Sequence, residues 1–582
     1  YYAPTQYKEE LLKFEYEKLK NEILEKAAKA ETNEEYYAVV REFVNTFEDA
    51  HTSVSFQMSG LPKRANIAYL GFSGTRSGDN LVVTKRLPTV AASFDYPILE
   101  GDVITKIDGK PLKEYVDENL LKTRHLGQTE SNYTYHLNRI FTRTSIYQPM
   151  PEGENPVATI TIDRGGIEED VVLPWIVKDV YTFEQEQARA QTNSNPFMDT
   201  DSKPNGDAVD GLAKFASKYF RVGHNMANTE VLKKYLKLAV DFGLSEKPAD
   251  LNKVLVERNK LRWETMMVVN NDMTWDIAEA KPTSEALQAD PLIGLRQERY
   301  VESGPNIIPI KGSFLMPAYV KIAKTKTGER KAVGYIRIES FSLPANADAE
   351  LRTTLSAMNT IGQTFTDKNV EDIVLDLIDN GGGSLVAGLR LAQALSAEKI
   401  EMPAMQFGLN ETWLDEYHAA SISEGVPDVE RELYRRTYEK LAQEADDGKK
   451  ISSPMPMSSF LLWDIKPNAS LEGRSLNVRV LVNEMCASMC DIFTAILQDN
   501  KVAKVMGTRS MGAGGNVTQH FSSPNSQMQI SQTESLIVRS NGQYVENVGV
   551  TPDEELDTSD RPSKYTSVTV SYTHLRAHET VV

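Results

Sequence analysis

One serine near the C-terminal end of the chain stands where a nucleophile could be placed. Ser488 lies in NEMCASMCDIFTAILQD (483–499), where the apolar strand pattern LNVRVLVNE ends and a helical pattern begins. A serine at such a junction is commonly only a helix cap, but as a nucleophile it would lie at the positive end of the helix dipole. The N–H of Met489 could then contribute to an oxyanion hole. A base and an orienting group must come from elsewhere in the chain.

Three consecutive glycines follow another apolar run. The stretch VLDLIDNGGGSLVAG (374–388) reads as a buried strand that enters a glycine turn at 381–383 and then a helix. Glycines there let the backbone approach a ligand closely and direct N–H groups at it, beside a helix N-terminus. No lysine follows in the next turn, so the loop is not of the Walker phosphate-binding type. The pattern favours an oxyanion hole, with a plain strand-to-helix turn as the alternative.

A base and an orienting carboxylate can be sought among few residues. His51 lies in FEDAHTSV, in a loop with Asp49 and Thr52 after a helical run, and loops commonly present catalytic bases. Glu546 lies in GQYVENVGVTPDEEL (542–556), where we predict the end of a short strand. A carboxylate there could hold a histidine in the required tautomer and stabilise the imidazolium. Taken alone, each residue is more typical of a packed or surface position.

Helical and strand patterns divide the chain into regions that would position these residues. Residues 1–62 repeat apolar positions at helical spacing, which predicts two or three amphipathic helices and, after them, the His loop. Residues 63–178 read as a compact mixed domain, in which Asp-Gly of GDVITKIDGKPL predicts a hairpin turn. Residues 179–300 predict a polar helical insertion or linker. Residues 301–560 alternate strands and helices, which implies a largely parallel α/β layer, interrupted by an insertion at 401–470.

Composition excludes several classes of protein. Hydrophobic residues make up 41% and charged residues 25% of the 582-residue chain, values typical of globular domains. The formal net charge of −18 argues against nucleic acid as a partner, and no apolar run reaches the ~18 residues of a membrane span. The two cysteines, Cys486 and Cys490, are predicted to lie on one helix as small packing residues, without a disulfide. Two cysteines alone make a poor metal site, and no metal is expected.

The ordered set of short motifs resembles the carboxy-terminal processing (tail-specific) protease family. That family combines D-x-H-T, a PDZ domain, D-L-R-x-N-x-G-G, S-A-S-A-S-E, T-x-G-x-G and G-V-x-P in this order. The matching segments here are DAHT at 49–52, DLIDNGGG at 376–383, CASMCD at 486–491, SMGAGG at 510–515 and GVTP at 549–552. The resemblance covers most of residues 40–555, apart from the two insertions. YLGF resembles the carboxylate-binding loop of PDZ domains and implies that Leu70, Gly71 and Phe72 bind substrate peptides.

One departure from the family motifs selects the catalytic group. The better-known branch uses a Ser–Lys dyad, but Ala513 stands at the lysine position, and no lysine follows before Lys564. The other branch, which includes tricorn protease and the chlamydial protease-like activity factor, uses a Ser–His–Glu triad. The resemblance to that branch implies that Ser488 is the nucleophile, His51 the base and Glu546 the orienting carboxylate.

The resemblance also implies an oxyanion hole and a fold. We expect Gly382 and Met489 to supply the oxyanion N–H groups. A second departure, Ile378 in place of the family's arginine, leaves open how the glycine loop is braced. The implied fold is α/β and multidomain, with a crotonase-like core of ββα units, an N-terminal helical region and a PDZ-like domain.

The expected activity is that of a serine endopeptidase that forms an acyl-enzyme on protein or peptide substrates without a cofactor. A homodimer is compatible with this expectation. Because the chain begins with Tyr1 rather than Met, and from the family resemblance, we expect a bacterial extracytoplasmic protein, periplasmic or secreted. The last stretch, SYTHLRAHETVV, resembles translated adapter sequence, and we expect the tail at 561–582 to be artefactual.

The sequence leaves three alternatives open. The main one is a catalytically inert, PDZ-containing peptide-binding protein. Another is an acyl-CoA enzyme, because crotonase-like folds also build oxyanion holes. Finally, His520 could replace His51 as the base, although we predict that it lies on a strand.

Overall fold

Eleven segments of the chain are described by the computed structural model. These are residues 2–56, 66–86, 96–145, 150–179, 306–310, 316–324, 329–341, 347–423, 428–459, 476–522 and 528–556. Apart from residue 179, the predicted insertion at 179–300 lies outside the described residues. The predicted tail at 561–582 does so as well.

Three helices open the chain, in agreement with the amphipathic pattern. They are α1 (Thr5–Leu12), α2 (Tyr16–Lys29) and α3 (Asn33–Asn45). Helix α3 begins with a capping box in which Thr32 and Glu35 satisfy each other's backbone N–H groups. The next turn buries Phe47 and leads directly into the loop that carries His51.

A mixed unit of two antiparallel sheets and two helices follows. The strand β1 (Ser53–Phe56) precedes this unit. The elements of the unit are β2 (Asn66–Tyr69), β3 (Phe72–Ser77), β4 (Asn80–Arg86), β5 (Val103–Ile107), β6 (Lys110–Pro111), α4 (Leu112–Asn119), α5 (Thr129–Leu137), β7 (Thr142–Thr144), β8 (Val157–Asp163), β9 (Glu168–Pro174) and β10 (Ile176–Asp179). One sheet has the order β3-β4-β5-β8-β9, with β6 paired to β5, and the other has the order β10-β2-β7. The predicted Asp-Gly turn joins β5 to β6, with φ of 51° at Asp108 and 77° at Gly109.

The second half of the chain builds one seven-stranded sheet with helices. Its elements are β11 (Ile307–Pro309), β12 (Ala318–Lys324), β13 (Arg330–Arg337), α6 (Ala347–Asp367), β14 (Asp372–Asp376), α7 (Leu385–Ala394), β15 (Ala404–Phe407), α8 (Glu411–Ile422), α9 (Asp428–Asp446), β16 (Met455–Pro456), β17 (Asn477–Val482), α10 (Met489–Asp499), β18 (Ala503–Gly507), β19 (Val517–Ser522), β20 (Met528–Thr533), β21 (Ser535–Val538) and β22 (Glu554–Glu555). The order of the large sheet is β11-β12-β13-β14-β17-β18-β22, and the five strands from β13 to β22 run parallel. The predicted alternation of strands and helices is thus confirmed.

The register of the parallel strands determines where the glycine loop and the serine turn emerge. Every residue of β14 is buried, as expected for a central parallel strand covered on both faces. Asp376 at the end of β14 pairs with Leu481 near the end of β17. Because the carboxyl ends of parallel strands meet at one edge of the sheet, residues 379–383 and 483–488 leave that edge side by side.

A smaller sheet attaches the N-terminal region to the second half of the chain. Strand β1 pairs antiparallel with β20, which in turn pairs with β19. This pairing fixes the His51 loop, which immediately precedes β1, against the second half of the molecule. Among the described helices, none has both the length and the apolar character that crossing a membrane requires.

Candidate active site

The turn that carries Ser488 has an unusual backbone conformation. Ser488 precedes α10 with φ 59° and ψ −121°, a conformation that costs energy for any residue with a side chain. Its side chain makes no capping hydrogen bond to the described part of helix α10, so the cap alternative is not adopted. Among the described residues, the N–H of Met489 has no acceptor. The turn therefore presents a half-buried hydroxyl next to a backbone donor that is available.

The cysteines that flank this serine are bonded to each other, and the prediction of two free packing residues was wrong. Cys486 and Cys490 form a disulfide, with Cα atoms 5.3 Å apart. The prediction failed because it placed both cysteines on one helix. Cys486 instead lies in the turn before α10, while Cys490 is the second residue of that helix. The disulfide closes a small loop around Ser488.

The glycine loop lies against the serine turn. A Cβ built on Gly382 would lie 2.6 Å from the Ser488 Cβ and 2.8 Å from the Met489 nitrogen, so only glycine fits here without displacement. The Ala487 N–H donates to the Asn380 carbonyl oxygen at 3.0 Å. The Gly382 N–H donates to the Asn380 Oδ1 at 2.8 Å. The predicted oxyanion residues thus lie together, with the Gly382 donor occupied by a side chain of its own loop.

An arginine from the neighbouring strand braces the glycine loop. Arg337, at the end of β13, forms a buried ion pair with Asp376 and donates to the Ile378 carbonyl oxygen at 2.6 Å. A guanidinium therefore reaches the loop although position 378 is isoleucine. The side chain of Asn483 completes the support, since its Oδ1 accepts from the Asp379 N–H and its Nδ2 donates to the Asp379 carboxylate.

The His51 loop is organised by a buried aspartate. The Asp49 carboxylate accepts from the N–H groups of His51 and Thr52, from the Thr52 hydroxyl and from the Tyr2 hydroxyl. Arg124 holds the same loop from the other side by donating to two of its carbonyl oxygens. The aspartate of the D-x-H-T motif thus has a structural role, because its hydrogen bonds fold the loop that presents the histidine.

The imidazole of His51 contains a buried nitrogen that lacks a partner. Among the described residues, nothing accepts from or donates to its Nδ1. Burial lowers the pKa of His51, the Asp49 carboxylate opposes this effect, and the cations of Arg124 and Lys8 add to it. The imidazole is therefore neutral around neutral pH, which is the state that a general base needs.

Glu546 lies in a turn rather than at the end of a strand as predicted, and it is only 1% exposed. Its Oε1 lies 2.7 Å from the Lys8 Nζ, and its Oε2 accepts from the Gly514 N–H at 3.0 Å. Burial raises the pKa of this carboxyl to about 8 and Asp49 adds to the rise, whereas Lys8 and the Gly514 N–H oppose it.

The three predicted catalytic segments converge, although their side chains are not bonded. Asn547, next to Glu546, donates to the Glu48 carbonyl oxygen, three residues before His51. Ala50, on the other side, packs against the apolar cluster that contains Ala487. Within the described part of the chain, no hydrogen bond joins Ser488, His51 and Glu546.

Ala513, which stands at the family's lysine position, is buried in that same apolar cluster and supplies no charged side chain. Its N–H donates to Asp491, whose carboxylate also accepts from the Gly512 N–H and the Ser510 hydroxyl. Burial raises the pKa of Asp491 to about 6, against these hydrogen bonds and one from the Ser488 N–H. Asp491 therefore ties the loop at 510–513 to the serine turn.

The remaining predicted residues lie elsewhere. Leu70 and Phe72 are buried in the core of the unit formed by β2–β10, and Gly71 between them has φ 98°. The Leu70 N–H already donates to the Phe141 carbonyl oxygen. His520 is part of strand β19, as predicted.

Sequence reasoning missed several residues that shape this site. Lys8 and Arg337 come from segments that carry no motif, and Asn483 precedes the CASMCD motif without being part of it. Only Asp491 could have been found, because it stands at the acidic end of the CASMCD segment.

Comparison with known proteins defines the class of this molecule. The crystal structure of mature CPAF aligns over 100% of this chain and 95% of its own length, with a TM-score of 0.65 and 19% identity. An uncharacterized protein of Chlamydia muridarum is 26% identical over 592 residues, which cover 97% of this chain and 87% of the relative. A probable CtpA-like serine protease of Staphylococcus aureus is 32% identical over 103 residues, which cover 18% of this chain and 20% of the relative.

The fold is that of a multidomain α/β peptidase of the serine type. Residues 332–556 match the model of peptidase family S41, so the chain contains a domain of that family. The predicted family and the predicted serine-type peptidase are both confirmed.

Proposed function

We propose that the protein is a serine endopeptidase in which Ser488 is the nucleophile, His51 the general base and Glu546 the orienting carboxylate. The observation that carries this proposal is the serine turn. Ser488 is strained and its side chain makes no capping hydrogen bond to α10, Gly382 packs against it, and the neighbouring Met489 N–H has no acceptor within the described residues. A backbone donor fixed next to a nucleophilic hydroxyl is what acyl transfer requires.

In the proposed reaction, His51 takes the proton of the Ser488 hydroxyl as the oxygen attacks a peptide carbonyl carbon. The Met489 N–H stabilises the oxyanion, and the Gly382 N–H joins it by exchanging its present acceptor, Asn380 Oδ1, for the oxyanion. His51 then protonates the leaving amine, and water releases the acyl group from Ser488. Each oxyanion donor contributes roughly 3 kcal/mol to barrier lowering.

The contact between His51 and Glu546 forms, in this proposal, when substrate closes the site. Among the described residues, nothing bonds to the buried His51 Nδ1, and Glu546 is bonded through Lys8 and Asn547 to the segment that precedes His51. Catalytic hydrogen bonds are often long in free enzymes and shorten in complexes. Pairing would satisfy the Nδ1 and fix the tautomer in which Nε2 faces the serine.

The finer domain assignments belong to the same proposal. We propose that the sheet around β14 and β17 is a crotonase-like core and that residues 63–178 are a PDZ-like domain, in which Leu70, Gly71 and Phe72 receive a substrate peptide. We also propose an extracytoplasmic location. The disulfide between Cys486 and Cys490 supports this location, because disulfides persist in oxidising compartments.

The test is labelling with a fluorophosphonate probe, combined with degradation of labelled casein. Wild type should be labelled, whereas Ser488→Ala and His51→Ala should lose both labelling and casein degradation. Folding of each variant is checked by circular dichroism. A folded wild type that is not labelled and cleaves nothing, but binds peptides, would replace this proposal with the inert peptide-binding protein.

A further inference from the structure

One lysine is buried at the candidate site although no motif contains it. Lys8 lies on α1 and its side chain is 0% exposed. Its Nζ donates to the Glu546 Oε1 at 2.7 Å, to the Glu48 carbonyl oxygen at 3.2 Å and to the Asn547 Oδ1. An ammonium has three donors, and these three oxygens use all of them.

The three oxygens belong to the two segments that the proposed triad must bring together. Glu546 and Asn547 form one of them, and Glu48 begins the loop that presents His51. Lys8 is thus a direct bridge between the orienting carboxylate and the backbone of the His loop. Tyr7 strengthens this attachment, because its hydroxyl donates to the Glu546 carbonyl oxygen at 2.8 Å.

We infer that Lys8 is a positioning residue of this peptidase, whose ammonium favours the ionised form of Glu546 and holds it beside the His51 loop. This inference rests on the proposed function. A protonated Glu546 could not stabilise an imidazolium by charge. A carboxylate that is this deeply buried needs a nearby positive charge to ionise.

Within the part of the chain that the structure describes, the other charged and titratable groups around Glu546 cannot take this role. From the N-terminal segment, Tyr2 and Tyr7 are phenols, and burial raises the pKa of both. From the His loop, Asp49 is an acid and raises the pKa of Glu546. His51 must stay neutral to act as a base. The loop at 510–516 contributes one backbone N–H, that of Gly514.

The opposite interpretation is that Lys8 competes with His51 for the carboxylate and restrains the enzyme. The two interpretations predict effects of opposite sign when the charge is removed. A Lys8→Met variant should be slower if Lys8 is a positioning residue and faster if it is a competitor.

The decisive experiment measures the rate constant of fluorophosphonate labelling from pH 5.5 to 10. In wild type the rate should rise through pH about 8 as Glu546 ionises, because the lowered pKa of His51 leaves the imidazole neutral already. Lys8→Met should displace this rise to higher pH by about one unit or more. The rate at pH 7 should then fall about tenfold or more, since one pKa unit is a tenfold change in ionised fraction.

Three variants distinguish a positioning role of Lys8 from a contribution to folding stability alone. Lys8→Arg keeps the charge and should keep the rise near its wild-type pH. Lys18→Met removes an exposed lysine of α2 and should change nothing. In a Glu546→Gln background, Lys8→Met should have no further effect on the rate. That double variant removes both members of the Lys8–Glu546 ion pair, so neither is left buried without the other, and it remains informative if Lys8→Met alone does not fold.

The possible results distinguish failure of this inference from failure of the proposed function. If Lys8→Met labels faster, keeps its pH profile at lower amplitude, or slows the Glu546→Gln enzyme further, the inference is wrong while the proposed function stands. If Glu546→Gln labels like wild type with the same pH profile, Glu546 has no orienting role, and Lys8 has none through it. If wild type is not labelled at all, the proposed function and the inference both fail.

Discussion

The contact between the glycine loop and the serine turn can be tested by adding one methyl group. Gly382 has φ 92°, a conformation that residues with a side chain rarely adopt. A Cβ at this position would lie 2.6 Å from both the Ala487 carbonyl oxygen and the Ser488 Cβ. Because these neighbours include backbone rather than a flexible side-chain end, Gly382→Ala must displace the turn.

Gly382→Ala is expected to lower both the free energy of unfolding and the labelling rate. The left-handed backbone costs alanine about 1–2 kcal/mol, and the overpacked contact costs a further ~1–3 kcal/mol of unfolding free energy. The catalytic cost is larger, because the methyl group meets the Met489 nitrogen at 2.8 Å. Loss of one oxyanion donor lowers the rate about 10²–10³-fold. Gly382→Ala should therefore fold with reduced stability and be labelled at least about 100-fold more slowly.

The neighbouring glycine is a matched control. A Cβ on Gly381 meets nothing within 4 Å. Gly381→Ala should therefore keep the labelling rate within about threefold of wild type, since exposed substitutions away from special contacts have small effects. Urea unfolding and stopped-flow labelling of both variants give the two quantities separately. If Gly382→Ala labels as fast as Gly381→Ala, the loop does not constrain the serine turn and the assignment of the oxyanion site is wrong.

Further predictions concern the supports of the site. In denaturant without reductant, iodoacetamide should leave Cys486 and Cys490 unmodified, and rapid alkylation would disprove the disulfide. Changing both cysteines to serine should lower the unfolding free energy by about 2 kcal/mol, as expected for a short closed loop. Asp49→Ala should slow labelling about 10²-fold by releasing the His loop, with Asp49→Asn intermediate because it keeps one acceptor; equal rates for all three proteins would contradict this role. Arg337→Met should cost about 3–5 kcal/mol in urea unfolding by leaving Asp376 buried and unpaired, and adding Asp376→Asn should recover part of that loss; no recovery would mean that the ion pair is not the source.

Predictions made from the sequence succeeded where the signal is local. The apolar periodicity that defines α10 and the parallel strands depends on side chains a few residues apart, and the structure has these elements where the pattern predicts them. The order of the short motifs predicted the peptidase family. The Asp-Gly turn between β5 and β6 is determined by the backbone preferences of the two residues themselves.

Predictions failed or fell short where a residue's environment comes from distant chain segments. The sequence predicts both cysteines on one helix, but the strained turn at Ser488 separates Cys486 from α10. Ile378 leaves open, in the sequence, how the glycine loop is braced, and in the structure the guanidinium comes from Arg337 on a neighbouring strand. Which distant side chain reaches the loop depends on strand order and register, and a local sequence pattern does not contain that information.

What the sequence by itself determined is the alternation of strands and helices, the peptidase family and the identity of the candidate serine, because these follow from local periodicity and ordered motifs. Only the tertiary structure decided what surrounds the candidate carboxylate. Lys8 and Glu546 are separated by 538 residues, and nothing near either one predicts a partner. A buried carboxylate needs a counter-charge, but which cation supplies it depends on how distant segments pack.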